Sequence, residues 1–309
     1  MSLSSLARSL NPHLLTSLLR PSAAHVSPPD LASSFTTRKQ SSTSQRCPQD
    51  VSPSSTSSTV SQIEVSHFSR LASSWWDPHG SSRLLHLMNP LRHDFINSCL
   101  NPLDPNTKYT YLDIGCGGGI FSSSAARLPS TRSVTAIDPT PPVIAIAKAY
   151  QRSDPTLSEP KLRYLNCAIE DLPLPLSSDK PAVSTAADII TLFEVLEHIN
   201  SPAQFLQTTI PHLQPGGWLI GSTIARSPLS FLTTKVIAEA PIIGVVPPGT
   251  HDWNKYINPD ELANWFEKDG GGGNWGSMKT QGVMYLPALG WRWCGATHGN
   301  YFFGIQRIQ

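Results

Sequence analysis

Tyr109-Thr110-Tyr111-Leu112-Asp113-Ile114-Gly115-Cys116-Gly117-Gly118-Gly119-Ile120-Phe121 is the stretch on which the reading of this chain turns. Aromatic and β-branched residues up to Ile114 suit a buried central strand. Four glycines in the next five positions give a backbone that turns sharply and lets a ligand approach where a Cβ would obstruct it. Ile120 and Phe121 then open a helix. Asp138 follows about twenty residues later, at the end of the apolar run Ser133 to Ile137. A strand, a glycine turn and a helix followed by such an acid fit two kinds of nucleotide-bearing ligand, with the carboxylate accepting from ribose hydroxyls. A dinucleotide site uses G-x-G-x-x-G, and here the sixth position is Ile120. Asp113 would sit badly beside a pyrophosphate and well beside a cationic ammonium group.

Downstream of this stretch, strand and helix patterns alternate. Strands are expected at Ser133 to Ile137, Leu162 to Asn166, Asp188 to Phe193 and Trp218 to Thr223, and helices at Ile120 to Leu128, Pro142 to Gln151, Pro202 to Leu213 and Pro259 to Glu267. That order implies an α/β fold, a parallel sheet with helices on its faces. Lys279 to Leu286 and Tyr301 to Gln306 are expected to add a closing antiparallel pair.

Upstream, composition divides the chain. Residues 1–61 are rich in Ser, Thr and Pro, and no acidic residue precedes Asp30. Such a segment buries too little apolar surface to fold alone. Its leucines, with Arg8 and Arg20, have the composition of a mitochondrial transit peptide. Ordered structure is expected over residues 62–309, beginning with a helical cap (62–108). In that cap Trp75-Trp76 reads as core or lid packing, and Pro90 is expected to open a helix capped by Asn89.

Twenty-three Lys and Arg against twenty-two Asp and Glu leave a net charge of +1, which disfavours a nucleic-acid partner. The five cysteines are scattered without C-x-x-C spacing and read as thiols rather than as a zinc site. Residues 225–253 form an insertion with apolar Phe231, Leu232, Val236, Ile237, Ile242 and Ile243. It is too interrupted to span a bilayer and suits either a membrane interface or a lid.

Phe193-Glu194-Val195-Leu196-Glu197-His198 follows the fourth strand. If this segment turns helically, Glu194, Glu197 and His198 share one face, an oxygen-rich set for a divalent ion. The same residues also suit acid–base work by His198 and Glu194, or packing.

Asp113-Ile114-Gly115-Cys116-Gly117-Gly118-Gly119 resembles the first motif of the class I S-adenosylmethionine-dependent methyltransferases. Ile169-Glu170-Asp171-Leu172-Pro173 resembles the segment of that family whose acid faces adenine, with Glu170 and Asp171 as alternatives. Trp75-Trp76-Asp77, Asn89-Pro90-Leu91-Arg92, the glycine turn, Glu194 to His198 and Pro247 to Trp253 occur in the order seen in the ubiquinone-biosynthesis O-methyltransferase family. The resemblance covers about residues 63–267.

It implies a Rossmann-like fold with a mostly parallel seven-stranded sheet, helices on both faces and an antiparallel last strand. It further implies S-adenosylmethionine held by Arg92, Asp113, Gly115, Gly117, Asp138, Glu170 or Asp171, and Phe193, the last packing on adenine. Glu194, Glu197 and His198 are implied to hold a divalent metal, Mg²⁺ foremost, with His198 and Glu194 catalytic. The implied acceptor is a polyprenylated catechol. The implied place is the matrix side of the inner mitochondrial membrane, held peripherally with other ubiquinone-biosynthesis proteins.

Overall fold

The computed structural model describes residues 59, 62–100, 106–175, 186–238, 252–268, 270 and 273–308, all within the unit Ser44–Gln309. Apart from Thr59, the transit-like segment 1–61 lies outside the described residues. So do residues 239–251, which hold much of the insertion and most of the Pro247 to Trp253 run.

β1 (Tyr109–Ile114) is flanked by two parallel neighbours, β2 (Thr131–Ile137) and β4 (Ala187–Phe193). β3 (Leu162–Leu165) extends one side, and β5 (Leu213–Ile224) extends the other in parallel. Beyond β5 the sheet turns antiparallel through β8 (Asn300–Gln306), β6 (Lys279–Leu286) and β7 (Gly290–Cys294). The order is β3-β2-β1-β4-β5-β8-β6-β7, eight strands in place of the expected seven. The extra strand is β7, folded back on β6 with Val283 opposite Trp293 and Tyr285 opposite Trp291. It is a short edge strand, paired on one side only, and its Gly-Trp-Arg-Trp-Cys sequence carries only a brief alternation.

Successive side chains of each strand point to opposite faces, and the two cores record it. Leu112, Ile190, Leu192 and Phe303 pack with Phe205, Leu206, Leu262 and Phe266. Tyr111, Ile189, Phe193 and Phe302 pack with Met88, Phe95, Ile96, Phe121 and Ile144. The helices therefore cover both faces. On one lie α5 (Pro202–Thr209) and α7 (Pro259–Lys268); on the other lie α2 (Arg83–Cys99), α3 (Ile120–Ala126) and α4 (Pro141–Arg152).

α1 (Gln62–Leu71) runs into a tight turn, Ala72–Ser74. Against expectation, Pro90 does not open a helix but lies inside α2, which begins at Arg83. A mid-helix proline costs about 3 kcal/mol. Pro90 is solvent-exposed, and the burial of Met88, Phe95, Ile96 and Cys99 along the same helix outweighs that cost. Conversely, the expected helix to Leu213 stops early. Pro211 has no N–H to continue it, so Ile210–His212 tightens into a 3₁₀ turn and Leu213 enters β5. After β5 comes α6 (Pro228–Ser230), capped by Ser227 and continued by a π-helical stretch to Ala238.

Among the described residues no helix is long and apolar enough to cross a membrane. Cys99, Cys116 and Cys294 are free thiols. Cys167 is disulfide-bonded, which departs from the reading of all five cysteines as thiols.

Candidate active site

The carboxyl ends of β1, β2 and β4 open onto a cavity of about 730 Å³. Its wall includes Arg92, Asp113, Gly115, Gly117, Asp138, Glu170, Phe193, Glu194, Glu197 and His198. Asp171 is exposed and is not part of that wall.

The glycine turn is held from below by Ile137, whose carbonyl accepts from the N–H groups of both Gly115 and Cys116 (2.9 and 3.0 Å). Gly117 has φ +54°, in the left-handed region. Its bareness serves a neighbour as well as a ligand: a Cβ on Gly117 or Gly118 would stand 2.3 Å from the Trp75 indole. Trp76 donates its Nε1–H to the Gly118 carbonyl (2.9 Å) and stacks on Tyr150. The tryptophan pair thus folds over the turn as the packing lid expected of it.

Asp138 accepts from the Gly117 N–H (3.0 Å) and the Thr140 N–H (2.8 Å), which ties the end of β2 to the turn. Asp113 is 2 % exposed and accepts from the hydroxyls of Ser122 (2.5 Å) and Thr191 (2.7 Å). Burial pushes its carboxyl up to about 6 against the pull of those hydrogen bonds and of Arg92.

Three buried polar atoms on this wall lack a partner among the described residues: His67 Nε2, and two of opposite kind on Arg92 and Glu170. Arg92 is 4 % exposed, with its guanidinium 4.9 Å from the centre of the Phe193 ring and Nε without an acceptor. Burial lowers its pKa against the charges of Glu194, Asp113 and Glu197. Glu170 accepts from the Thr59 N–H and hydroxyl through Oε1, while Oε2 stays buried and unpartnered. Phe193 was expected against adenine. Its ring lines the cavity and also meets Arg92, Phe121 (4.8 Å) and Phe302 (6.1 Å).

The acidic segment does not form the helical face anticipated for it. Glu194 takes a left-handed backbone (φ +58°), and a single 3₁₀ turn covers Leu196–His198. Glu194 Oε1 accepts from the Ser222 hydroxyl (2.6 Å), and Glu197 Oε2 accepts from Thr223 (2.8 Å). Burial, then the neighbouring Glu194 charge, push Glu197 up to about 7. His198 donates from Nδ1 to Glu64 Oε2 (3.1 Å). Burial opposes its protonation, but Glu64, Glu197 and Glu194 outweigh burial and raise its pKa.

Among the described residues no three His, Cys, Asp or Glu side chains converge as a ligand set. Glu194, Glu197 and His198 all line the cavity, but the two acids are anchored on adjacent residues of β5, Ser222 and Thr223, whose side chains point to opposite faces of the sheet. Sequence reading missed Glu64, which reaches His198 from α1, and Thr59, Ser222 and Thr223. They carry no local motif, since each meets the site only through chain crossing.

Comparison with known proteins places the chain. Residues 61–270 match the family model described as a methyltransferase domain. Ubiquinone biosynthesis O-methyltransferase, mitochondrial, from Candida albicans is 37 % identical over 292 residues, covering 81 % of this chain and 86 % of the relative. The protein of that name from Schizosaccharomyces pombe is 40 % identical over 256 residues (80 % and 87 %). That from Saccharomyces cerevisiae is 36 % identical over 295 residues (82 % and 90 %).

Among solved structures, a S-adenosylmethionine-dependent methyltransferase from Thermotoga maritima matches with a TM-score of 0.51 at 15 % identity, over 79 % of this chain and 99 % of that one. The plantazolicin methyltransferase BpumL, in complex with S-adenosylhomocysteine, matches with a TM-score of 0.51 at 16 % identity, over 80 % and 99 %. These two structures share the fold, a class I methyltransferase sheet with antiparallel closing strands. With relatives this similar along most of its length, the chain belongs to the ubiquinone biosynthesis O-methyltransferase family.

Proposed function

We propose that this protein transfers the methyl group of S-adenosylmethionine to a hydroxyl of a polyprenylated catechol in ubiquinone biosynthesis. The observation that carries the cofactor assignment is the opposed pair of orphaned groups in one cavity. Arg92 offers a buried cation with a free N–H, which suits a carboxylate. Glu170 offers a buried acceptor, which suits an exocyclic amine. Asp138, fixed by two backbone N–H groups at the end of β2, is placed to accept from ribose hydroxyls. Asp113 lends negative charge beneath the turn where an ammonium would rest. When bound, S-adenosylmethionine supplies a sulfonium methyl open to in-line attack by an oxygen nucleophile.

The protein's part is to bring a phenol to that methyl as its oxyanion. His198, oriented through Nδ1 by Glu64, leaves Nε2 as the atom that takes the phenolic proton. Where a divalent cation, Mg²⁺ foremost, is held instead, Glu194, Glu197 and His198 Nε2 would be its donors, and His198 would then not take the proton. A cation there would lower the pKa of a coordinated hydroxyl.

The relatives' names and the acid-poor, leucine- and arginine-bearing N-terminus support a mitochondrial place. Exposed Leu229, Phe231 and Leu232 support peripheral contact with a membrane, where other proteins of the pathway would meet it.

Calorimetry with S-adenosylmethionine, followed by methylation of a short-prenyl dihydroxybenzoate, tests the reading. Saturable binding and a methylated product are expected; absence of cofactor binding sinks it. Chelation and Glu194→Ala are each expected to lower turnover more than tenfold. If both leave turnover intact, the acidic segment acts through His198 alone.

A further inference from the structure

We propose that the isoprenoid tail of the acceptor leaves the transfer cavity between α2 and the β6–β7 hairpin. This rests on the function proposed above and names where its substrate is recognised. The cavity wall that carries Glu197 and His198 continues onto Leu84 and Met88 of α2 and onto Val283, Tyr285 and Trp291 of the hairpin. Val283 and Tyr285 alternate along β6 and stand opposite Trp293 and Trp291, so these four share the hairpin face turned to α2.

Apart from Asn300, opposite Val283, two polar side chains of this limb are engaged within it. Trp291 donates its Nε1–H to the Leu84 carbonyl (2.9 Å), and the Arg83 guanidinium reaches the Tyr285 hydroxyl (3.4 Å). What remains toward the cavity is hydrocarbon and ring face, a surface for isoprene units and poor for a free polar metabolite.

Further out, Leu87 one turn along α2 and Leu289 at the hairpin tip stay exposed (39 % and 58 %). The charge pattern agrees. From Gly270 to Gln309 the sequence has no Asp or Glu, while Lys279, Arg292 and Arg307 are present. A tail leaving there toward a lipid surface meets no carboxylate on the hairpin. On the insertion side Leu229, Thr233 and Thr234 also line the wall, with both threonine hydroxyls bonded to backbone carbonyls of their own helix.

The test compares dihydroxybenzoate with and without a farnesyl substituent, assayed without lipid, on the full chain, Leu84→Asp and Leu232→Asp. Farnesol binding is followed in parallel by tryptophan fluorescence. Leu84→Asp is expected to lower kcat/KM for the farnesylated acceptor about tenfold more than for the untailed one, and to weaken farnesol binding to a similar degree. Leu232→Asp is expected to shift neither ratio. If Leu84→Asp proves unfolded by circular dichroism, Tyr285→Asp carries the same comparison.

Equal losses on both acceptors with farnesol binding unchanged, or a tail-dependent loss in Leu232→Asp alone, overturn the proposal. If the wild type methylates neither acceptor yet binds farnesol in a Leu84-dependent way, the channel stands and the proposed reaction falls.

Discussion

Asp113 shows how one buried carboxylate is held charged at a cost. Two hydroxyls and the Arg92 cation favour the ionised form, but complete burial wins and the folded-state pKa is about 6. An unfolded aspartate titrates near pH 4. Between about pH 4 and pH 6 the folded chain therefore holds the extra proton, and stability falls as pH rises through that window. A shift of this size corresponds to about 2–3 kcal/mol, an order-of-magnitude figure. Asp113→Asn removes the titration. Its melting temperature relative to wild type is expected to climb between pH 4.5 and pH 7.5, while its affinity for S-adenosylmethionine falls. Thermal denaturation across that pH series, paired with calorimetry, checks both; a difference independent of pH would rule out this account. Glu64 teaches the complementary lesson. It reads as a helix surface acid in the sequence, yet it orients His198 from 134 positions away.

At the scale of elements, the glycine turn and the tryptophan pair form one packing unit. Gly118 has an ordinary backbone, so its need for a bare Cα comes from Trp75 alone, whereas Gly117 also has a positive φ. Gly118→Ala is expected to destabilise the protein by about 1–3 kcal/mol through overpacking. In a Trp75→Ala background the same change is expected to cost little, and a urea-denaturation double-mutant cycle reads the difference. Additive effects would show that the two do not share the space. The turn, its glycines and Asp138 were legible because strand, turn and acid follow one another in the chain. The lid over them was legible only as an aromatic pair. Pro90 was misread as a helix start because local propensity ignores the apolar stripe that carries α2 through it. Strand β7 escaped notice because five residues at a sheet edge carry little periodicity.

At the scale of the whole molecule, a net charge of +1 leaves little for long-range attraction to anionic lipid, so the proposed membrane contact rests on apolar side chains. Phe231 and Leu232 are each about half exposed at the start of the insertion, with Leu229 beside the cavity. Replacing both Phe231 and Leu232 by serine is expected to reduce co-sedimentation with mixed anionic vesicles about tenfold or more. Raising salt is expected to change it far less. A binding curve that collapses with salt and ignores the serines would place the contact elsewhere.

The sequence by itself determined the α/β fold, the glycine turn with Asp113 and Asp138, and the acidic segment on the same reaction edge. Each of these is written in consecutive residues, whose periodicity and backbone demands are local. Only the tertiary structure decided that Glu170 rather than Asp171 faces the cavity, that Arg92 lies against Phe193 with its Nε unpartnered, and that Glu64 holds His198. It also decided that Glu194 breaks the expected helical face. Those outcomes depend on which side chains meet across strand and helix crossings, and burial there sets both the partners and the charge of each group.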